Sequence, residues 1–146
     1  MPPARPMLGC VASTARDRID TAFYFAEITN EVFDDEHLMS IAPEQVRFRH
    51  CSFRGADLRQ ATLDGCSFQQ CDLSGANLRG ASLRSARFTG CDLRKADLRD
   101  CDLTEAELTF QHTGDDSGRT DVTGALLTGA DLTDVSAERV VGWPEG

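Results

Sequence analysis

A five-residue repeat constrains this chain more than any other feature of its sequence. Written in blocks of five from Val46 to Phe110, the chain has Leu at the third position of nine blocks and Phe at the other four. The first position of these 13 blocks is Ala seven times, Cys five times and Val once. A period of five fits neither the 3.6-residue helix nor the two-residue strand, so it predicts a chain that turns a corner every five residues.

Four such corners close a square coil of about 20 residues, and stacked coils pair like strands about 4.8 Å apart. The third-position side chains then all point inward, and equivalent residues of successive coils stack in columns. No coil can bury its apolar face alone, so the stack is expected to be stable only as a whole. The predicted core residues are Phe48, Phe53, Leu58, Leu63, Phe68, Leu73, Leu78, Leu83, Phe88, Leu93, Leu98, Leu103 and Leu108.

The blocks ADLRQ, CDLSG, ANLRG and ADLRD resemble the A(D/N)LXX signature of the pentapeptide repeat proteins. That resemblance implies an all-β fold, a right-handed quadrilateral β-helix. The strict form of the repeat covers residues 46–110. Its motif is specific for a fold and says little about function.

The same register continues in weaker form on both sides of the strict repeats. Upstream, Ile28, Phe33, Leu38 and Pro43 occupy the third position, and Pro43 is expected to pair imperfectly because it has no N–H. Downstream, the phase breaks across residues 111–119, which predicts one loop projecting from a corner. We therefore predict a single β-helix over residues 21–144 with terminal repeats at 120–144, preceded by a tail or irregular cap at 1–20.

Charge excludes several classes of function. The net charge is −9 and the pI is near 4.7, which disfavours direct binding to nucleic acid or to an anionic membrane and permits a basic partner. No apolar run approaches the ~20 residues that span a bilayer, and the first residues lack the apolar region of a signal peptide. The sequence therefore predicts a cytoplasmic protein. The strict repeats are nearly neutral, with nine acids and ten bases, so the acidic surplus lies in the flanking segments.

Five of the six cysteines occupy the inward first position of a block. They are Cys51, Cys66, Cys71, Cys91 and Cys101. Such a set could form disulfides or a metal ladder, or it could serve as small apolar filler equivalent to Ala. Ala holds the same position seven times, and the chain has no CxxC pair with histidines nearby, so we predict free thiols, no metal and no cofactor.

Catalysis is not indicated by the remaining polar residues. The three histidines, His37, His50 and His112, have no motif partner, and the inward positions are apolar, so we predict that the protein is not an enzyme. The acidic segment around Asp115 and Asp116 lacks the ligand spacing of an EF-hand, which favours a solvated loop over a calcium site.

One arginine stack has two interpretations. Arg59, Arg79 and Arg99 hold the same position in three successive coils and should stack on one face. Neighbouring acids can make this a solvated, charge-balanced ladder. The alternative is a docking stripe for an acidic partner.

The family resemblance also suggests a function. The segment EVFDDEHLMSIAPEQVRFRHCSFRGADL is similar to the N-terminal region of the mycobacterial-type member among those that confer quinolone resistance. Those members imply a DNA mimic that binds DNA gyrase or topoisomerase IV and confers resistance, or self-resistance, to topoisomerase-targeting antibiotics. The alternative is an interaction scaffold with an unrelated protein partner.

Acidic residues outside the strict repeats are the predicted contacts for a topoisomerase, because their carboxylates could stand in for DNA phosphates. These candidates are Glu31, Asp34, Asp35, Glu36, Asp115 and Asp116. A homodimer is also predicted, because the end of a β-helix exposes apolar side chains and unpaired backbone groups. The residues expected to cap that end or to form the dimer contact are Val140, Val141 and Trp143.

Overall fold

A computed structural model describes residues 19, 26–111 and 118–143 of the 146-residue chain. Within these residues the chain forms a six-stranded parallel sheet whose strand order follows the sequence. Each strand is very short, as expected for a chain that turns at every block. The strands are β1 Glu27–Thr29, β2 Arg47–Arg49, β3 Ser67–Gln69, β4 Arg87–Thr89, β5 Glu107–Thr109 and β6 Ser136–Ala137.

Three further columns of parallel bridges complete each coil. Ser52 pairs with Asp72, Asp57 with Asn77, and Thr62 with Ser82, so each residue pairs with its equivalent in the next coil. Four columns of backbone pairing therefore enclose one core. This is a quadrilateral β-solenoid, and the predicted fold class is confirmed.

Each column carries one outward face of the solenoid. The first face contains β1 to β6 and the residues that follow them, 27–30, 47–50, 67–70, 87–90, 107–110 and 136–139. The second face contains residues 32–35, 52–55, 72–75, 92–95, 121–124 and 141–143. The third face contains residues 37–40, 57–60, 77–80, 97–100 and 126–129. The fourth face contains residues 42–45, 62–65, 82–85, 102–105 and 131–134.

The corners are formed by the fifth residues of the blocks, nearly all of which have a positive φ, whereas Phe110, before the insertion, does not. Thirteen residues other than glycine adopt this left-handed conformation, including Gln60 and Asp100 with φ of 61°. On the second, third and fourth faces, the first-position amide of the next block closes the turn, as where Ala56 N–H donates to Phe53 O at 3.1 Å. The repeat length is therefore set by the corners, since each strand is too short to define a period of its own.

The core is a set of stacked third-position side chains. All 13 predicted core residues are buried. The aromatic column is stacked ring on ring, with centroids 5.1 Å apart for Phe48 and Phe68 and also for Phe68 and Phe88. Ile19 is fully buried and joins the same core, whereas Leu132 in the last described coil is only partly buried.

The phase break is absorbed without loss of register. Asp72 pairs with Asp92 at the regular spacing, whereas Asp92 pairs with Asp121 although the inserted segment lies between them in the chain. That segment is closed at its base, where the Gln111 N–H donates to Gly118 O at 2.7 Å. Backbone pairing therefore resumes beyond the insertion in the same column.

The cysteines do more than fill space. Cys51, Cys71 and Cys91 form one column, and each thiol donates to the carbonyl of a core residue one coil upstream, with Sγ···O distances of 3.3, 3.2 and 3.0 Å. Thr120 continues the column, and its hydroxyl donates to Phe88 O at 3.2 Å. The interpretation of these cysteines as equivalents of Ala is therefore incomplete, because Ala has no donor to offer that carbonyl.

Burial predicts the chemistry of these thiols. Removal from water raises the pKa of Cys66 to about 11 and that of Cys101 to about 12, so the reactive thiolate is scarce at neutral pH. We expect the five described cysteines to resist a thiol reagent such as DTNB in the native protein and to react fully in denaturant without reductant. Rapid native labelling of any of the five would contradict their burial, and incomplete reaction in denaturant would indicate disulfides.

Candidate functional site

Charge is distributed unequally around the solenoid. The fourth face carries six acids, Glu44, Asp64, Asp102, Glu105, Asp131 and Asp134, and one base, Arg84. The third face carries three acids and three bases, and the first face carries three acids and four bases. The near-neutral strict repeats are thus an average over faces of different charge. On the fourth face, three acids within the strict repeats and three in the flanking segments make one side of the solenoid strongly acidic.

The spacing of charge on this acidic fourth face is close to that of nucleic acid. This face spans five successive coils, about 19 Å at the usual strand separation, and carries carboxylates in four of them, with Arg84 in the middle coil. Six carboxylates over that length correspond to about one charge per 3 Å, and a single DNA strand carries about one per 3.4 Å. Glu44, Glu105, Asp131 and Asp134 are exposed to solvent. The fourth face therefore offers a linear array of anions to a basic partner.

The Asp or Asn of the A(D/N)LXX motif has a structural function in this fold. Its Oδ1 accepts the backbone N–H of the residue two positions later, at 2.9 to 3.2 Å, in the manner of an Asx-turn. The second-position residues that make this bond are Asp57, Asp72, Asn77, Asp92, Asp97, Asp102, Asp121 and Asp131. These side chains hold the corner, and the sequence analysis did not foresee this role.

At two positions where Ser replaces Asp, Ser52 and Ser82, an acid from the coil upstream supplies the missing acceptor. Asp34 accepts from the Ser52 hydroxyl and from the Arg54 N–H, the latter at 2.9 Å. Asp64 does the same for Ser82 and for the Arg84 N–H at 3.0 Å. Asp34 was predicted as a partner contact, but its carboxylate already joins the first two coils.

Ion pairs neutralise much of the remaining shaft. Asp57, Asp92 and Asp97 each bind the arginine two positions later through two N–H···O bonds, as in Arg94 Nε to Asp92 Oδ1 at 2.9 Å and Nη2 to Oδ2 at 2.7 Å. Arg79 has Asn77 in that place and instead contacts Asp100 across the coils, at 3.2 Å. The stack of Arg59, Arg79 and Arg99 is therefore charge-balanced, which favours the solvated-ladder interpretation.

These contacts shift the acidity of the carboxyl groups. Donation from the paired arginine lowers the pKa of Asp57, Asp92 and Asp97, and donation from the Thr104 hydroxyl lowers the pKa of Asp102. The ionised carboxylates of these residues are therefore more stable in the folded protein than in the unfolded chain. Their contribution to stability is complete above the unfolded pKa of about 4 and is lost as the pH falls through the lower folded values.

This linkage predicts acid sensitivity. We expect the melting temperature to fall between pH 6 and pH 3, and the variant Asp57→Asn/Asp92→Asn/Asp97→Asn to melt lower at pH 6 with a smaller fall on acidification. Asn keeps the corner, because Asn77 already accepts the Arg79 N–H at 3.1 Å. Glu44→Gln, at an exposed acid, is the control. Equal acid sensitivity of the triple variant and the native protein would show that these carboxylates do not govern it.

The predicted partner contacts lie in different environments. Asp35 and Glu36 are exposed at the upstream end, Glu31 is partly buried, and Asp115 and Asp116 lie outside the described residues. At the downstream end Val140 and Trp143 are partly buried and pack on the core, and Val141 is 36% exposed. The acidic fourth face was missed because charge was summed along the chain. Sorting the acids by their position within each coil would have revealed it.

The described residues do not bring the histidines or other metal-binding side chains together. His37 and His50 lie on different faces, and His112 is outside the described residues. No group of three or more His, Cys, Asp or Glu side chains within residues 19, 26–111 and 118–143 is arranged to hold a metal ion. Over the same ranges, no helix has the length and apolarity to cross a membrane.

Comparisons with known proteins identify the fold. Residues 43–114 match the family model of a pentapeptide repeat region, and no curated protein matches the sequence. The structure is similar to that of Rfr23, a pentapeptide repeat protein of the cyanobacterium Cyanothece 51142, with a TM-score of 0.60 and 18% identity over 86% of this chain and 89% of that one. It is also similar to full-length QnrB1, a plasmid-mediated fluoroquinolone resistance protein, with a TM-score of 0.62 and 19% identity. That match covers 79% of this chain and 57% of QnrB1.

Proposed function

Because this chain belongs to the pentapeptide repeat proteins, whose solenoids serve mainly as interaction surfaces, we propose that it is a non-enzymatic DNA mimic of the cytoplasm. In this proposal the acidic fourth face occupies the basic DNA-binding surface of DNA gyrase or topoisomerase IV, and the outcome is protection from topoisomerase-targeting antibiotics. The observation that carries the proposal is the charge spacing on that face, which approaches that of one DNA strand. The resistance function of QnrB1 supports the choice of partner.

Electrostatics explains how such a surface would act. A topoisomerase binds the DNA backbone through cations that neutralise phosphates, and a protein carboxylate at similar spacing can take the place of a phosphate. The carboxylates of Glu44, Glu105 and Asp134 are exposed and take no part in the corner hydrogen bonds described above. Asp35 and Glu36 lie at the corner between the second and third faces, so a contact centred on the fourth face does not use them. Asp115 and Asp116, outside the described residues, stay predicted contacts.

The test is a supercoiling assay with purified gyrase, with and without a fluoroquinolone. We expect the native protein to bind gyrase at low salt, and Glu44→Gln/Glu105→Gln/Asp134→Asn to weaken binding and flatten its salt dependence, because the attraction is screened beyond about 8 Å at physiological ionic strength. The matched control removes three charges from the first face, as Glu27→Gln/Glu107→Gln/Glu138→Gln. Equal loss in both variants would contradict a role for the fourth face. Absence of binding by the native protein would instead favour an unrelated protein partner.

We further propose that the downstream end forms a homodimer. The last described coil leaves Leu127, Leu132 and Val140 only partly buried, although the same inward positions are fully buried in the coils before it. A second copy placed end to end would cover this apolar surface and its unpaired backbone groups. It would also double the length of the acidic face.

Sedimentation velocity over a dilution series tests the dimer. We expect a concentration-dependent dimer for the native chain and a monomer for Trp143→Glu, because a charge would enter the contact. Val32→Glu, at a residue 62% exposed in the first described coil, should leave the dimer intact. A native protein that stays monomeric at all concentrations would show that Trp143 only covers its own core.

A further inference from the structure

A concave surface lies diagonally across the solenoid from the corner that bears Glu105 and Asp134. It is a groove of about 700 Å³ along the corner between the second and third faces. Asp35 lines its upstream end, Gly55 and Gly75 form its floor, and Arg94 and Lys95 line its downstream end. The proposed contact with a topoisomerase makes no use of the cations at this corner.

The groove has a fixed length, an acid at its upstream end and two cations at its downstream end, while Arg54, which also lines it, pairs with Asp72 at 3.8 Å. Its residues are held in register by backbone bonds, from Asp35 N–H to Arg54 O at 2.9 Å and from Gly75 N–H to Arg94 O at 2.9 Å. Asp35 and Lys95 occupy the same corner three coils apart, which places their backbones about 14 Å from each other. A ligand that satisfies both ends must therefore carry both signs of charge at that separation.

The floor allows a peptide backbone to approach closely. A Cβ built on Gly55 would collide with Asp35 Oδ1, so the Asp35 carboxylate reaches over the floor of the groove. A Cβ built on Gly75 would meet no atom within 4 Å, so the centre of the groove is open. The acidic anchor thus points into the groove, and the space beside it is free.

Lys95 is the cation at the downstream end of the groove that is available to a ligand. It is the only lysine in the sequence, it is exposed, and it makes no ion pair with any residue in the described ranges. Arg94 beside it is held by two bonds to Asp92, which fixes its guanidinium at the edge of the groove. An acidic group placed here would meet the exposed ammonium of Lys95 and the guanidinium of Arg94, which is held by Asp92.

We propose that this groove binds an extended segment of a partner protein in which a basic and an acidic residue are four positions apart. An extended chain rises about 3.4 Å per residue, so four residues cover about 14 Å, and their even spacing puts both side chains on one side. A helix with the same four-residue spacing would not reach both ends, because residues four apart on a helix are separated by only about 6 Å. The basic residue lies at Asp35 and the acidic residue at Arg94 and Lys95.

The single lysine provides a specific reporter. Protein labelled with ¹⁵N-lysine gives one lysine amide signal, that of Lys95, which lies in the groove. The probe is the peptide acetyl-Arg-Ser-Thr-Ser-Glu-amide, and its control is acetyl-Ser-Arg-Glu-Thr-Ser-amide, which has the same composition with adjacent charges. We expect a saturable shift of the Lys95 signal with the probe and a weaker response to the control. No saturable shift, or equal affinity for both peptides, would overturn the proposal.

Two substitutions test the two features of the groove. Asp35→Asn should weaken probe binding about two- to fivefold, the range expected for loss of an exposed ion pair. Asp134→Asn is the matched control, because Asp134 has nearly the same backbone angle, with φ of 56° against 58°, on the opposite corner. Gly75→Asn should abolish binding by filling the open floor while leaving the melting temperature nearly unchanged. Equal effects of Asp35→Asn and Asp134→Asn, or full binding by a folded Gly75→Asn, would contradict the proposed site.

Discussion

The corner is the constraint on which the rest of this structure depends. A chain can enclose an apolar column with such short strands only if it turns a corner at the end of each block, and nearly all blocks do so with a left-handed backbone at the fifth residue. The cost of that conformation is offset by hydrogen bonds that fix each turn, from backbone amides and from the second-position carboxylates. Only the side chains at the second, fourth and fifth positions then face outward, and in many blocks the second-position side chain already accepts a corner hydrogen bond. The remaining outward side chains are the ones available to contact a partner.

Because many acids hold the corners, net charge is a poor guide to the electrostatic potential of the surface. Asp92 and Asp97 are acids in the sequence, but in the fold each is a turn acceptor paired with an arginine, so they add little to the field outside the protein. Glu44 and Asp134 are also acids, yet they stand exposed on a face with one arginine. Two proteins of equal net charge could therefore present very different potentials to a partner. The position within the coil decides which carboxylates act at a distance.

The fold was predictable from the sequence because one physical requirement recurs in every block. Leu or Phe at the third position and Ala or Cys at the first define the inward side, and the register of Phe48, Phe68 and Phe88 followed from counting four blocks to a coil. The surface was less predictable, because its properties depend on contacts between coils. The bond from Asp34 to Ser52 joins two different coils, and the groove at Gly75 depends on what the neighbouring coils place around it. The acidic fourth face was predictable in principle, because counting four blocks to a coil and sorting the acids by position would have found it.

The insertion before Thr120 has a consequence for how such a protein can change. The ladder leaves its regular count after Asp92 and resumes at Asp121 in the same column, and one backbone bond from Gln111 to Gly118 closes the gap. Backbone pairing in the solenoid therefore depends on where the inserted segment begins and ends. The pairing does not depend on how many residues lie between those two points. Thr120 restores the donor that a cysteine supplies in the coils above, so the core is continuous across the junction. The architecture therefore leaves room for a different segment between Gln111 and Gly118 without a change in the register of the shaft.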